Sequence, residues 1–172
     1  IENIIKEKSI KYYIPLIDEE IPKAHALASR LAGLKVISPN NEFVSLCLNK
    51  YNLMKVLGEK AISDVKTTLG QDFKFEIDFP VFIKPIIGRG SRGIMKICNK
   101  EQFDAYFLFN EYTKRDIIVQ RSLEGTEYSV SVIVNKLNNI ICNFPKKILI
   151  KKWIPQHAVT EKNKNINAVC KK

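Results

Sequence analysis

A single lysine stands directly before a glycine-rich loop near the middle of the sequence. Residues 79–83 form an apolar, β-prone run that predicts a buried strand, which ends at Lys84 and Pro85. The loop supplies three glycines and several side-chain donors, namely Gly88, Gly90, Gly93, Ser91 and either Arg89 or Arg92. Because glycine adopts backbone angles closed to other residues, successive amides in such a loop can turn toward one anion. The pattern predicts that Lys84 and the loop bind phosphate.

The loop, GRGSRG at residues 88–93, also fits the dinucleotide-binding fingerprint G-x-G-x-x-G. That motif must open a helix, whereas residues 94–98 are rich in Ile and predict a second strand. Strand, glycine loop and strand together are typical of a flap over phosphates. A protein kinase is excluded because Lys84 precedes the loop and the H-R-D and D-F-G motifs are absent. A Walker loop is excluded because no Gly-Lys-Ser/Thr follows, and a plain solvated turn stays the alternative.

Composition narrows the class of protein. A chain of 172 residues with 45% hydrophobic residues can bury a core and predicts one domain or two small ones. The net charge of +10 would suit a nucleic-acid binder, but the basic residues are spread along the chain rather than clustered with aromatics, which favours solvated lysines. No apolar run approaches the length of a membrane span. The four cysteines are far apart and lack C-x-x-C, which argues against a zinc site or a disulfide framework and predicts a cytoplasmic protein with reduced thiols.

The elements before the lysine predict part of an open α/β layer. Strands at residues 11–17 and 34–37 flank a helix that Asp18 can cap and Gly33 can end. Asn41 can start the next helix, and Asn49 can cap the one after it, which carries Leu53, Val56 and Leu57 on its inner face. Lys50 lies in the first turn of that helix, where a cation opposes the helix dipole. Lys50 therefore either has a function or simply faces water.

The elements after the lysine predict a helix and an antiparallel region. The polar stretch 63–70 is the expected subdomain boundary, and Asn99 caps a helix with Gln102 at the capping-box position. Its inner face carries Phe103, Tyr106 and Phe107. A strand at 117–120 and an alternating strand at 128–134 follow, and the turn at 136–139 makes a hairpin with residues 140–150. Thr160 is the expected cap of a last helix.

With Lys84, the glycine loop and the segment IIVQRSLEGTEYSVSV (117–132) in this order, the chain resembles the ATP-grasp superfamily, most closely its carbamoyl phosphate synthetase large-subunit-like branch. The resemblance implies an α/β (α+β) fold of the ATP-grasp type. Residues 1–48 would be the end of a preceding open α/β domain. Residues 49–120 would form a linker helix and a small lobe with a glycine-rich β-hairpin flap, and 121–172 the incomplete first part of an antiparallel large lobe.

The same resemblance implies roles for individual residues. Lys50 and Lys84 would hold nucleotide phosphates, and the flap would close over them through Gly88, Gly90, Ser91, Arg92 and Gly93. Residues 120–123 would form the adenine hinge, with Gln120 at its start and the main chain of Leu123 reading the base. Arg121 stands where the family often has Glu, which puts a base contact by that side chain in doubt. Glu127 would accept from the ribose hydroxyls, although a surface carboxylate is the alternative.

The reaction implied by the resemblance is activation of a carboxylate by ATP as an acyl phosphate, which an amine or ammonia then attacks. Magnesium would be needed, but its acidic ligands are expected on later strands, outside this chain. We therefore expect a truncated ligase that is inactive alone, with no metal ligand and no catalytic residue assigned. The expected partners are ATP and an unidentified carboxylate, and a homo-oligomer is left open. A non-catalytic nucleotide-binding or regulatory module and a basic nucleic-acid-binding domain are the competing hypotheses.

Overall fold

The structure is a computed structural model that describes residues 1–75 and 79–171. It divides into two compact units, Ile1–Leu53 and Met54–Lys172. No helix within the described ranges is long and apolar enough to cross a membrane.

The first unit is a small α/β layer. Its elements are α1 (Glu2–Glu7), β1 (Tyr12–Tyr13), α2 (Glu20–Ala28), β2 (Lys35–Val36) and α3 (Asn41–Leu48). Strands β1 and β2 pair in parallel, as the strand, helix, strand pattern predicts, although both are only two residues long. Its core holds the apolar side chains of Ile5, Leu27 and Leu34.

The predicted ends of α2 are wrong. The helix begins at Glu20 after Glu19, and no side chain caps it. Asp18 contributes its main-chain carbonyl oxygen, which accepts from the amide of Ile21 at 3.3 Å. The helix ends at Ala28, and irregular turns lead to Gly33, which has the left-handed φ of +86° that favours glycine.

Asparagine caps shape the next two helices. Asn40, one residue before the expected start, accepts from the amide of Phe43 at 2.8 Å and caps α3. Asn49 accepts from the amide of Asn52 at 3.0 Å, which confirms it as the cap of α4 (Lys50–Glu59). The boundary between the two units falls inside α4.

A four-stranded antiparallel sheet begins the second unit. Its strands are β3 (Thr67–Leu69), β4 (Val81–Pro85), β5 (Met95–Ile97) and β6 (Ile117–Arg121), in the order β3-β6-β4-β5. Strand β3 lies within the stretch that the sequence suggests as a polar boundary. Strands β4 and β5 pair antiparallel, with Ile83 opposite Met95, on either side of the glycine loop. The strand, loop, strand unit is confirmed, so a helix-opening dinucleotide loop is excluded.

Helix α5 (Lys100–Phe109) covers one face of this sheet. Asn99 accepts from the amide of Gln102 at 2.9 Å, and the Gln102 side chain in turn accepts from the amide of Cys98 at 2.7 Å. These bonds confirm the predicted cap. Phe103 is 1% exposed and stacks on Phe73, with ring centroids 5.2 Å apart. This helix therefore supplies the aromatic part of the core.

A three-stranded antiparallel sheet completes the unit. It consists of β7 (Tyr128–Val134), β8 (Ile140–Lys152) and β9 (Ile154–Thr160), with β8 in the middle. The predicted β7–β8 hairpin is confirmed, whereas β9 is a strand that the sequence does not predict. Thr160 ends β9 and caps no helix. Helix α6 (Lys164–Val169) is capped instead by Asn163, whose side chain accepts from the amides of Asn165 and Ile166.

We predict that Phe103→Ala lowers the free energy of unfolding of the second unit by about 3–5 kcal/mol, because it leaves a cavity in the aromatic core. The matched control is Phe109→Ala on the same helix. Its side chain is 85% exposed, so the change should stay within about 0.5 kcal/mol. Urea denaturation followed by circular dichroism measures both values. Similar losses in the two variants would contradict the assigned core.

Candidate functional site

A cavity of about 920 Å³ lies within the second unit, inside the usual size range of small-ligand sites. Strand β4, the flap, strand β6 and the turn between β8 and β9 all contribute to its walls. Six residues predicted from the sequence line it: Lys84, Ser91, Gln120, Arg121, Leu123 and Glu127. Apolar side chains, among them Met54, Val65, Phe82 and Ile94, also line the wall. The cavity therefore combines charged groups with an apolar surface.

Strand alternation places Lys84 at the cavity. Along β4 the side chains of Val81, Ile83 and Pro85 are buried, while Phe82 and Lys84 alternate with them and line the cavity. The Lys84 Nζ donates to Gln120 Oε1 at 2.7 Å and lies 5.8 Å from the centre of the Phe82 ring. The ammonium is thus oriented by the neighbouring strand β6.

Gln120 is bonded at both ends of its amide. Its Oε1 accepts from Lys84, and its Nε2 donates to Thr67 Oγ1 on β3 at 2.7 Å. The family resemblance implies a place for Gln120 in the base hinge, and Thr67 is not among the predicted site residues. That contact joins residues 53 positions apart in the chain, and no local pattern indicates it.

The flap has the backbone that its glycines allow. Gly90, Ser91 and Gly93 all have φ near +60°, and Gly88 has φ +150°. A Cβ on Gly93 would stand 2.7 Å from the Tyr112 ring and 2.8 Å from Pro85, so only glycine fits there. The Tyr106 hydroxyl donates to the carbonyl oxygen of Gly93 at 2.7 Å and fixes the base of the flap.

The tip of the flap reaches the three-stranded sheet. The Ser91 hydroxyl donates to the carbonyl oxygen of Trp153, which lies in the turn between β8 and β9 and is 75% exposed. Ser91 and Trp153 both line the cavity. The two turns therefore meet across one side of it.

Glu127 forms an ion pair inside the cavity. Its Oε1 accepts from Lys151 Nζ at 2.6 Å, and both residues line the wall. Lys151 is not among the residues predicted from the sequence, because the predicted hairpin ends at Ile150 and β9 is not predicted. The sequence does contain a signal for β9, because a second β-prone run follows Lys151, Lys152 and Trp153.

The remaining predicted residues lie outside the cavity wall. Gly88, Gly90, Arg92 and Gly93 shape the flap without lining the cavity. Lys50 belongs to the first unit, where burial lowers its pKa and the nearby Asp18 carboxylate opposes that shift. Partial burial of a lysine in a helix first turn is unfavourable for its charge.

The cavity offers a mixed set of donors and acceptors. Lys84, Arg121 and Lys151 supply cations, and Glu124 and Glu127 supply carboxylates. Across residues 1–75 and 79–171, no three His, Cys, Asp or Glu side chains lie together as metal ligands would. The cations of the cavity suit an anionic organic ligand.

Known proteins are similar to more than half of this chain. A family model described as an ATP-grasp domain matches residues 47–164. The D-alanine–D-alanine ligase of Solibacter usitatus is 37% identical over 60 residues, which are 35% of this chain and 18% of that protein. That of Corynebacterium diphtheriae is 25% identical over 92 residues, 54% of this chain and 25% of that protein. The chain therefore spans a quarter or less of the length of these relatives.

Solved structures share the fold at low identity. The biotin carboxylase domain of Hydrogenobacter thermophilus 2-oxoglutarate carboxylase, a dimer in complex with MgADP, ADP and bicarbonate, matches 88% of this chain and 37% of its own, at 20% identity and a TM-score of 0.73. The VanG D-Ala:D-Ser ligase of Enterococcus faecalis matches 80% of this chain and 43% of its own, at 20% identity and a TM-score of 0.65.

The flap anchor predicts a pH dependence. Burial raises the pKa of Tyr106 to about 12, and the neighbouring Tyr112 adds to the shift. The folded state holds the hydroxyl proton of Tyr106 more tightly than the unfolded state does. The contribution of this proton to the free energy of unfolding is therefore complete below a pH of about 10 and is lost as the pH rises toward about 12. We expect Tyr106→Phe to remove this part of the decline in the free energy of unfolding between those pH values. Denaturation at several pH values measures it, with the exposed Tyr12→Phe as control; equal pH slopes in wild type and Tyr106→Phe would refute it.

Proposed function

Because the chain belongs to the ATP-grasp family, we propose that its second unit binds ATP in the cavity and is the nucleotide-binding portion of a ligase. The ligase activates a carboxylate as an acyl phosphate for attack by an amine or ammonia. The observation that carries the proposal is the placement of Lys84 beside a glycine flap on the wall of one cavity.

The phosphate end of the ligand would lie at Lys84 and the flap. A charge-assisted contact from a lysine to a phosphate oxygen contributes about 1.5–3 kcal/mol. The left-handed backbone at Gly90, Ser91 and Gly93 is of the kind that turns amides toward an anion. We assign Ser91, Arg92 and the flap amides to phosphate binding, with Gly88, Gly90 and Gly93 providing the backbone.

The nucleoside end would lie at residues 120–127. We assign base contacts to the main chain of Leu123, which lines the cavity and whose side chain is 66% exposed. We assign the ribose hydroxyls to Glu127. Its carboxylate has about four acceptor sites, so the ion pair with Lys151 leaves it able to accept from hydroxyls as well.

Two assignments rest on the family resemblance rather than on contacts at the cavity. Lys50, in the first unit, is proposed as a second phosphate ligand. Magnesium, which neutralises phosphate charge when bound, is proposed as a cofactor, and no magnesium ligand is assigned.

The substrate class of the ligase is part of the same proposal. The names of the relatives, D-alanine–D-alanine ligase and D-Ala:D-Ser ligase, favour amino acids as substrates of those proteins. The segment VQRSLEGTEYSV at 119–130 carries the finer proposal of a carbamoyl phosphate synthetase-like branch. A bicarbonate or amino-acid carboxylate is the matching substrate class.

We predict that Lys84→Ala weakens ATP binding by about tenfold to a hundredfold, because it removes a charge-assisted phosphate contact. Titration calorimetry measures the dissociation constant. Quenching of Trp153, the one tryptophan in the sequence and part of the cavity wall, gives a second readout.

Lys100→Ala is the matched control for net charge. Lys100 is exposed on α5 and lies over the Phe75 ring at 5.3 Å, away from the cavity wall. Its removal should leave ATP affinity within about twofold. Equal losses in both variants would show that total charge rather than the site attracts ATP, and unchanged affinity in Lys84→Ala would remove Lys84 from the phosphate site.

A further inference from the structure

Gln120 is the one buried side chain with an amide or a charged group in the part of the chain that the structure describes, at 6% exposure. A buried amide costs free energy unless its polar atoms are paired. Gln120 satisfies this condition with two side chains from two different strands, Lys84 on β4 and Thr67 on β3. The bonds therefore hold together three neighbouring strands of the sheet.

The register explains why these three side chains meet. Thr67 is directly opposite Gln120 in the β3–β6 pair, and Phe82 is directly opposite Gln120 in the β4–β6 pair. Lys84 lies two residues further along β4 than Phe82 and so occupies the diagonal position on the same face. All three side chains thus lie on the face of the sheet that borders the cavity.

The hydrogen bonds have a defined direction. Thr67 Oγ1 donates its one proton to the carbonyl oxygen of Val65 at 3.2 Å, so it acts as an acceptor toward Gln120 Nε2. This fixes which end of the amide faces β4. Gln120 Oε1 consequently faces the Lys84 ammonium and accepts from it. In the flipped amide, the two N–H donors of Nε2 would face the three N–H donors of the ammonium, and no hydrogen bond could form.

We propose that Thr67 and Gln120 are positioning residues, which act through Lys84 to hold its ammonium where a nucleotide phosphate binds. This inference rests on the proposed function of the cavity. It assigns the Gln120 side chain to the phosphate end of the ligand rather than to the base. The amide suits this task because a neutral acceptor orients the ammonium without itself cancelling its charge, as a carboxylate at the same position would.

Three variants separate this role from a merely structural one. Thr67→Val removes the acceptor that fixes the amide, and Thr67→Ser restores a hydroxyl. Gln120→Glu keeps the shape and the acceptor but places a negative charge beside Lys84. Titration calorimetry with ATP, ADP and adenosine gives the readout, and thermal unfolding confirms that each variant folds.

We expect ATP affinity to fall about threefold to tenfold in Thr67→Val and to recover in Thr67→Ser. In Gln120→Glu it should fall tenfold or more. Each loss corresponds to about the free energy of the hydrogen bond or charge contact that the substitution changes. Adenosine affinity should change by less than about twofold, since adenosine carries no phosphate.

Equal losses for adenosine and ATP would overturn the inference and return Gln120 to base recognition. ATP binding by the wild type with unchanged affinity in Thr67→Val would overturn it while leaving the proposed function standing. A wild type that binds no ATP would remove the proposed function, and this inference with it.

A measurement without nucleotide tests the positioning itself. Brief acetylation followed by peptide mass spectrometry reports how readily each lysine amine reacts. Lys146 is the internal reference, since its Nζ donates to Ser131 Oγ at 2.9 Å outside this network. The reactivity of Lys84 relative to Lys146 should rise in Thr67→Val and return in Thr67→Ser. No rise would show that Thr67 does not hold Lys84 in place.

Discussion

The burial of one amide on the central strand β6 is the constraint on which the candidate site depends. Ile117, Ile118, Val119 and Gln120 are all buried, so both faces of this strand are covered. One face carries Ile117 and Val119 into the aromatic core. On the other, Gln120 must find partners for a donor and an acceptor, and it finds them on the two adjacent strands. The same strand therefore supports the core and orients the cation of the cavity.

The core and the flap are linked through helix α5. Phe103 and Tyr106 both lie in the core, but the Tyr106 hydroxyl extends to the carbonyl oxygen of Gly93 at the base of the flap. The close approach of Gly93 to Tyr112 and Pro85 leaves no room for a side chain. The loop is therefore held where it leaves the sheet, and at its left-handed tip Ser91 lines the cavity.

The second sheet contributes the other side of the cavity. Lys151, near the end of β8, pairs with Glu127, and Trp153, in the turn between β8 and β9, accepts from Ser91. This ion pair is partly exposed, so it contributes little to stability. Its value for the site is that it holds a cation and a carboxylate at fixed positions. The cavity wall of this chain therefore includes the charged residue Lys151, which the sequence does not predict as a site residue.

The sequence by itself determined the features that depend on neighbouring residues. The strand ending in Lys84, the glycine flap, the Asn49 and Asn99 caps and the β7–β8 hairpin follow from local propensity, alternation and turn chemistry. The order of these segments also indicated the family. Tertiary structure decided what depends on residues far apart in the chain: the bond from Gln120 to Thr67, the pairing of Glu127 with Lys151, and the strand β9 that ends at Thr160 before the last helix. Strand register and the pairing of buried polar groups are set by packing across the sheet, which no local pattern of residues records.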